Sequence, residues 1–187
     1  MLLKRSDESY ERLKEILSGG GVAIMACDTI YGFVGKVPST EDRIRRIKGR
    51  GETKPFLQLL PDAAALETTG ALMPEGEILS LWPGPFTFVF AMKDGGTTAF
   101  RVPEDAKLRE LTASAGCPLY STSVNRAGEP PMDDPSAILD EFGREVDLVE
   151  DAGIFEGRSP STVVDVSSRP YRILRQGAGV VPEDLLI

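Results

Sequence analysis

Apolar residues recur along this chain in two alternating periods. In "YERLKEIL" they stand at Tyr10, Leu13, Ile16 and Leu17, the spacing of one helix face. "SGGG" stops that helix, and "VAIMAC" (22–27) reads as a buried strand. "STEDRIRRIKG" opens a second helix, with Ser39 and Asp42 spaced close to a capping box and Ile44 and Ile47 facing a core. "FLQLL" is the next strand, and "PEGEILSLW" predicts a short helix after Pro74. "FTFVFAM" and "TAFRVP" read as strands, and the intervening "KDGG" predicts a hairpin. "EDAKLRELTASAG" is helical and closed by Gly116, "PLYSTSVN" is a strand running into a polar turn, and "PSAILDEFG" is a helix. "VDLVED", "STVVDVS" and "YRILRQ" read as strands, and "VPEDLLI" as a small packed tail. Strands alternating with helices, with some direct strand-to-strand links, predict an α/β fold on a mixed sheet. No repeat, low-complexity segment or linker interrupts the pattern, so one domain over residues 1–187 is expected.

Composition narrows the chemistry. Lys and Arg number 21 against 29 Asp and Glu, a formal net charge of -8 that disfavours bulk binding to nucleic acid or an anionic membrane. There is no histidine, which excludes Ser-His-Asp and Cys-His catalysis and His-ligated zinc. The two cysteines, Cys27 and Cys117, form no CxxC motif and are expected as reduced, buried thiols. The N-terminus lacks the apolar run of a secretion signal, and no segment approaches the ~18 apolar residues of a membrane span, so the cytoplasm is the expected location.

Against that acidic background, "DRIRRIKGRGETKPF" (42–56) gathers Arg43, Arg45, Arg46, Lys48, Arg50 and Lys54. Such a cluster is either a solvated helix face or an anion site. Lys48 and Arg50 follow a helix end with Gly49 between them, so both cations can be aimed inward; Arg43, Arg45 and Arg46 are assigned to the solvated face. Neither GxxxxGK[ST] nor a GxGxxG after a strand occurs, so a nucleotide site must be built from side-chain cations and polar turns. "ACDTIYGFVG" places Asp28, Thr29 and Tyr31 where a buried strand ends, "STSVNRAG" (121–128) packs three hydroxyls, an amide and an Arg, and "FRVP" carries Arg101 in an otherwise apolar strand. Taken alone, the strand-end and loop blocks are better explained by turn chemistry or a solvated basic loop, and Arg101 equally well by snorkelling or pairing with a carboxylate.

Together the blocks are specific. "GGVAIMACDTIYGFVG", "RIKGRGETKPFLQLL", "LWPGPFTFVF", "FRVP", "STSVN", "PSTVVDV" and "ILRQGAG" resemble, in order and spacing, the YrdC/TsaC family of threonylcarbamoyl-AMP synthases, over about residues 7–179. The resemblance implies a single-domain form with a twisted, open, mixed and mostly parallel sheet, helices on both sides and a deep positive cavity. It implies Lys48, Arg50, Ser123 and Asn125 as the family's KxR…SxN catalytic set. ATP contacts would be Arg50, Lys54, Thr97, Ser123 and Arg175. Threonine contacts would be Thr29, Arg101, Ser121 and Ser161, with Tyr31 lining the site. The implied activity joins L-threonine, bicarbonate and ATP into threonylcarbamoyl-AMP for the t6A modification of tRNA, with Mg2+ arriving on ATP and no protein-held metal. A downstream t6A transfer machinery would be the partner, while direct tRNA binding is left open and no membrane is involved. The family's PTDT is ACDT here, its SAN is SVN and its GLG is GFVG. The alternatives are a diverged paralogue activating another carbamate or carboxylate, and a non-catalytic RNA-binding module. Against the last stand the acidic charge and the lack of interleaved aromatics.

Overall fold

The computed structural model describes residues 1–49, 51 and 55–187. Arg50 and Lys54 therefore lie outside the described residues. The chain runs β1 (Leu2–Lys4), α1 (Asp7–Ser18), β2 (Val22–Ala26), β3 (Tyr31–Lys36), α2 (Glu41–Lys48), β4 (Leu57–Leu59), β5 (Phe86–Ala91), β6 (Thr97–Arg101) and α3 (Ala106–Ala115). It continues through β7 (Leu119–Ser123), α4 (Pro135–Phe142), β8 (Leu148–Asp151), β9 (Thr162–Asp165) and β10 (Arg172–Arg175). The ten strands of the described residues join one sheet in the order β1-β8-β2-β3-β7-β4-β6-β5-β9-β10.

The mixed sheet agrees with the sequence pattern, but the expected excess of parallel pairs does not hold. Four pairings are parallel (β1 with β8, β2 with β8, β4 with β6, β5 with β9), and five are antiparallel. The reason is local. The segment 27–30 turns β2 straight back onto β3, a strand that the glycines of "YGFVG" obscure in the sequence. β7 then inserts antiparallel to both β3 and β4. The hairpin predicted at "KDGG" forms, pairing Ala91 with Thr97. "PEGEILSLW" yields only a 3-10 turn at Ile78–Leu81.

Alternation along β2 sorts the core into two layers. Val22, Ile24 and Ala26 face Ile44 and Ile47 of α2 and Ile138 and Phe142 of α4. Ala23, Met25 and Cys27 face Tyr10, Leu13 and Leu17 of α1 and Leu108 and Leu111 of α3. Helices thus cover both sides, and each fully buried Leu or Phe contributes about 1.5–3 kcal/mol. Farther along the sheet, Phe88, Phe90 and Phe100 build a third cluster with Trp82 and Tyr171.

The helix ends follow side-chain chemistry. Ser6 and Ser9 exchange hydrogen bonds as a capping box at α1, and Asp105 accepts the Lys107 and Leu108 amides at α3. The box expected from Ser39 and Asp42 is not made: Thr40 is the N-cap, and its Oγ1 donates to Lys36 O at 2.9 Å. The basic face of α2 also differs from the expected solvated one. Arg43 pairs with Asp147 at 2.6 Å, and Arg45 pairs with Glu41 at 2.6 Å over the Phe56 ring. Of the three arginines assigned to that face, Arg46 alone is exposed. Cys27 is buried and Cys117 half-buried, and neither is in a disulfide. No helix among the described residues is long and apolar enough to cross a membrane.

Candidate active site

The sheet face that α1 and α3 cover at the β2 end is left bare farther along, and a cavity of about 250 Å³ opens there. Register fixes its lining. Leu57 of β4 pairs with Ser121 of β7, Val89 of β5 with Ala99 of β6, and Thr87 of β5 with Val163 of β9. Gly32, Ser121, Ser123, Leu57, Ala99, Arg101, Thr87, Ser161 and Val163 line the space, with Arg175 of β10 at its far end. Apart from Leu57 and Val163, small or polar side chains stand here where the covered half of the same face carries Leu and Met. Concavity is the result.

One wall is a strained turn. Thr29 N–H donates to Cys27 O at 2.6 Å, closing a γ-turn whose central residue, Asp28, has φ 55. This is a sparsely populated conformation for a residue with a Cβ, and it persists where its surroundings over-determine it. Here they do. Asp28 Oδ1 accepts from Arg101 Nη2 at 2.5 Å and from Thr29 N–H at 3.1 Å. Asp28 Oδ2 accepts Glu104 N–H at 2.8 Å, and Asp28 O accepts from Arg158 at 3.2 Å. Burial raises the Asp28 carboxyl pKa, against the lowering pull of Arg101.

Arg101 is 3% exposed. Its Nε donates to Gly84 O at 3.2 Å and its Nη1 to Thr29 Oγ1 at 3.0 Å. A guanidinium has five N–H donors. One on each terminal nitrogen therefore remains beyond these contacts. Across the cavity, Arg175 Nη2 donates to Ser161 O at 2.7 Å, and Ser161 and Thr87 share a hydroxyl hydrogen bond of 2.8 Å.

The β7 wall presents lone pairs. Ser121 Oγ donates to Cys27 Sγ at 3.8 Å, and Ser123 Oγ donates to Asn125 Oδ1 at 2.6 Å. With their protons directed inward, both hydroxyl oxygens face the cavity as acceptors. Burial, with the Asp28 charge beside it, pushes the Cys27 thiol pKa up to about 12.

Lys48 and Asn125 do not line the cavity; they lie behind Ser123. Lys48 is 2% exposed, and its Nζ donates to Ser123 O at 2.5 Å, Asn125 O at 3.0 Å and Asn125 Oδ1 at 2.9 Å. Asn125 Nδ2 donates to Arg126 O and Glu129 O, each at 2.8 Å. Arg126 points away from the cavity, to Glu141, Glu145 and Ile47 O. Thr97 shares the strand face of Ala99 and Arg101 but is exposed at the hairpin end. Pro55, Phe56 and Leu57, directly after Lys54 in sequence, line the cavity. Tyr31 also lines it, its hydroxyl donating to Gly153 O at 2.8 Å and accepting Ala152 N–H at 2.9 Å.

The structure thus gathers Thr29, Tyr31, Arg101, Ser121, Ser123, Ser161 and Arg175 around one space. The sequence pattern does not single out Gly32, Thr87 or Ala99. Of these, Thr87 has a local signal, as the hydroxyl amid the phenylalanines of "FTFVF".

An α/β protein with an open sheet-face cavity, bounded by two arginines and a row of hydroxyls, is what this fold and lining define. The chain belongs to the Sua5/YciO/YrdC family, described as telomere recombination, whose signature matches residues 15–177. Among solved structures, P. abyssi Sua5 complexed with L-threonine is 21% identical with a TM-score of 0.84, covering 95% of this chain and 57% of that one. E. coli YciO is 24% identical with a TM-score of 0.81, covering 98% of each chain. MTH1692 from Methanobacterium thermoautotrophicum is 32% identical with a TM-score of 0.67, covering 95% of this chain and 90% of that one. The chain therefore spans about three fifths of the Sua5 length.

Proposed function

We propose that this protein is an L-threonylcarbamoyladenylate synthase. It would form threonylcarbamoyl-AMP, pyrophosphate and water from L-threonine, bicarbonate and ATP for t6A modification of tRNA. The observation that carries the reading is the polarity of the cavity. Arg101 offers a planar fork for a carboxylate, while Ser121 and Ser123 opposite it offer acceptors for ammonium or hydroxyl protons. A zwitterionic hydroxy-amino acid matches both walls, and the amino acid in complex with P. abyssi Sua5 is L-threonine.

The chemistry needs alignment and charge neutralisation rather than a histidine. Once threonine has taken up bicarbonate, its carbamate is already anionic and needs no general base to attack the α-phosphorus of ATP. The new bond is P–O to the carbamate oxygen, and the bond that breaks releases pyrophosphate with its electron pair. Cations near the phosphates stabilise the developing charge. Arg175, at the far end from Thr29, is assigned to the nucleotide side. Arg50 and Lys54 are proposed to act there too, and Lys48 to fix the loop that presents Ser123. Among the described residues no group of three or more Cys, Asp or Glu gathers as a metal cage. In this reading magnesium is carried by ATP, where it neutralises phosphate charge.

The test is incubation with ATP, labelled bicarbonate and L-threonine, followed by detection of pyrophosphate and labelled adenylate. Pyrophosphate formation with another amine or carboxylate, but not with threonine, would favour the diverged-paralogue reading.

A further inference from the structure

Behind the γ-turn lies a fully buried carboxylate, Glu150 of β8. It shares a strand face with Leu148, which packs in the layer of α1 and α3. Its Oε2 accepts Ala26 N–H at 3.1 Å. The β2–β8 ladder pairs Ala23 with Leu148 and Ile24 with Val149. Beyond those pairs the Glu150 side chain takes up the β2 amide. Among the described residues its Oε1 has no hydrogen-bond partner.

The titratable groups whose charge acts on Glu150 come from several neighbouring elements. They are Arg5 beyond β1, Tyr10 of α1, Asp105 at the α3 cap, Asp151 of β8, and Cys27 and Tyr31 on either side of the turn. The one cation among them, Arg5, hydrogen-bonds the Asp105 carboxylate and the Tyr10 hydroxyl. Its Nε stays 3.9 Å from Glu150 Oε1. A further negative charge in this dry site would be repelled by the Asp105 and Asp151 carboxylates and drawn only by an already engaged guanidinium. A proton on Oε1 removes that cost. Burial raises the Glu150 carboxyl pKa, with Arg5 and the Ala26 amide pulling the other way.

We propose that Glu150 is a positioning residue for the amino-acid end of the cavity, holding Ala26, and through it the Cys27–Thr29 turn, as a neutral acid. The contacts close a ring. Asp28 holds the Glu104 amide, the adjacent Asp105 holds Arg5, Arg5 faces Glu150, and Glu150 holds Ala26, two residues before Asp28. Thr29 belongs to that turn and Arg101 of β6 is hydrogen-bonded to it, so loosening the ring acts on the amino-acid subsite and spares Arg175 at the other end. Only the ligand-binding consequence rests on the function proposed above.

The experiment compares the full chain with Glu150→Gln and Glu150→Leu. Infrared spectra at pH 7 are expected to show a protonated-carboxyl band in the unaltered protein that Glu150→Gln lacks; identical spectra overturn the neutral acid. Amide hydrogen exchange at Ala26 is expected to match the unaltered protein in Glu150→Gln and to rise about tenfold in Glu150→Leu, the scale of one lost hydrogen bond. An Ala26 exchange rate that rises equally in both variants overturns the positioning role, and it remains readable in Glu150→Gln if Glu150→Leu fails to fold. By calorimetry, L-threonine binding should weaken about tenfold in Glu150→Leu, ATP binding less than twofold. Equal loss for both ligands overturns the link to the amino-acid end. A protein that binds no threonine at all sinks the proposed function instead, and the infrared and exchange results still decide the role of Glu150.

Discussion

Arg101 and Asp28 form an ion pair with Nη2 2.5 Å from Oδ1, their side chains 3% and 15% exposed. It ties β6 to the one non-glycine residue of positive φ among the described residues. Arg101→Lys keeps a charge but loses the fork, and should raise the threonine requirement more than the ATP requirement. Arg101→Leu leaves the carboxylate unpaired and should cost roughly 3 kcal/mol in urea denaturation. If Arg101→Lys raised only the ATP requirement, Arg101 would belong to the phosphate side.

Among the described residues Lys48 Nζ donates to Ser123 O, Asn125 O and Asn125 Oδ1, two of them backbone carbonyls. Lys48→Met should cost about 2 kcal/mol, because the two carbonyls lose a charged donor in a part-buried site. Lys48→Arg should not rescue it, since a planar fork does not fill a cage shaped for a compact ammonium. Full recovery of stability and ligand binding in Lys48→Arg would show that charge alone is required.

The Cys27 thiol has no role as a nucleophile in this scheme. Burial and the Asp28 charge push its pKa up to about 12, so at neutral pH it is protonated and shielded. A disulfide reagent should modify Cys117 in the native protein and both cysteines only after denaturation. Cys27→Thr should keep activity; complete loss in both Cys27→Thr and Cys27→Ser would point to thiol chemistry.

Gly32 forms the cavity floor. A Cβ there would stand 2.9 Å from Cys27 Sγ and 3.2 Å from Ser121 Oγ. Gly32→Ala should therefore weaken threonine binding while ATP binding changes little, as calorimetry would read. Unchanged threonine affinity would move the amino acid elsewhere in the cavity.

Acid sensitivity should pass partly through Glu41. The Tyr120 hydroxyl, donating at 2.6 Å, and the Arg45 guanidinium hold its carboxyl pKa below the usual value despite some burial. A depressed carboxylate stabilises the fold above its unfolded pKa of about 4.3, and this is lost as pH falls through the folded value. Tyr120→Phe should therefore lose less stability than the parent as pH falls from about 5 to about 3, read by urea denaturation at each pH. An identical acid slope would remove Glu41 from the account.

The helices and most strands are legible in the sequence because their apolar periods are clean, as at Leu13 and Leu17 or Phe88 and Phe90. The β3 strand is not, because Gly32 and Gly35 interrupt its apolar run and only pairing with β2 and β7 makes it a strand. Arg101 stands out in the sequence as a cation among apolar residues. Its pairing with Asp28 is a contact between residues 73 positions apart and has no local signal. The "KGR" segment marks Lys48 as a cation aimed inward at a ligand; in the structure it is buried behind Ser123 instead, and the acceptors it meets there depend on the loop after β7. Glu150 reads as one more residue of a strand; only the splaying of β8 from β2 turns it into an internal acid.

The strands of the cavity carry two messages in alternate letters. Thr87 lies between Phe86 and Phe88, and Arg101 between Phe100 and Val102; in each case the flanking residues are buried in the apolar cluster. Because neighbouring side chains leave opposite faces, the ligand-facing set can be rewritten without touching the set that builds the opposite layer. A library randomised at Thr87, Ala99 and Ser121 alone would thus sample new ligands of the cavity on an unaltered scaffold. The same backbone could diverge toward other carbamates by spelling changes confined to one side of the sheet.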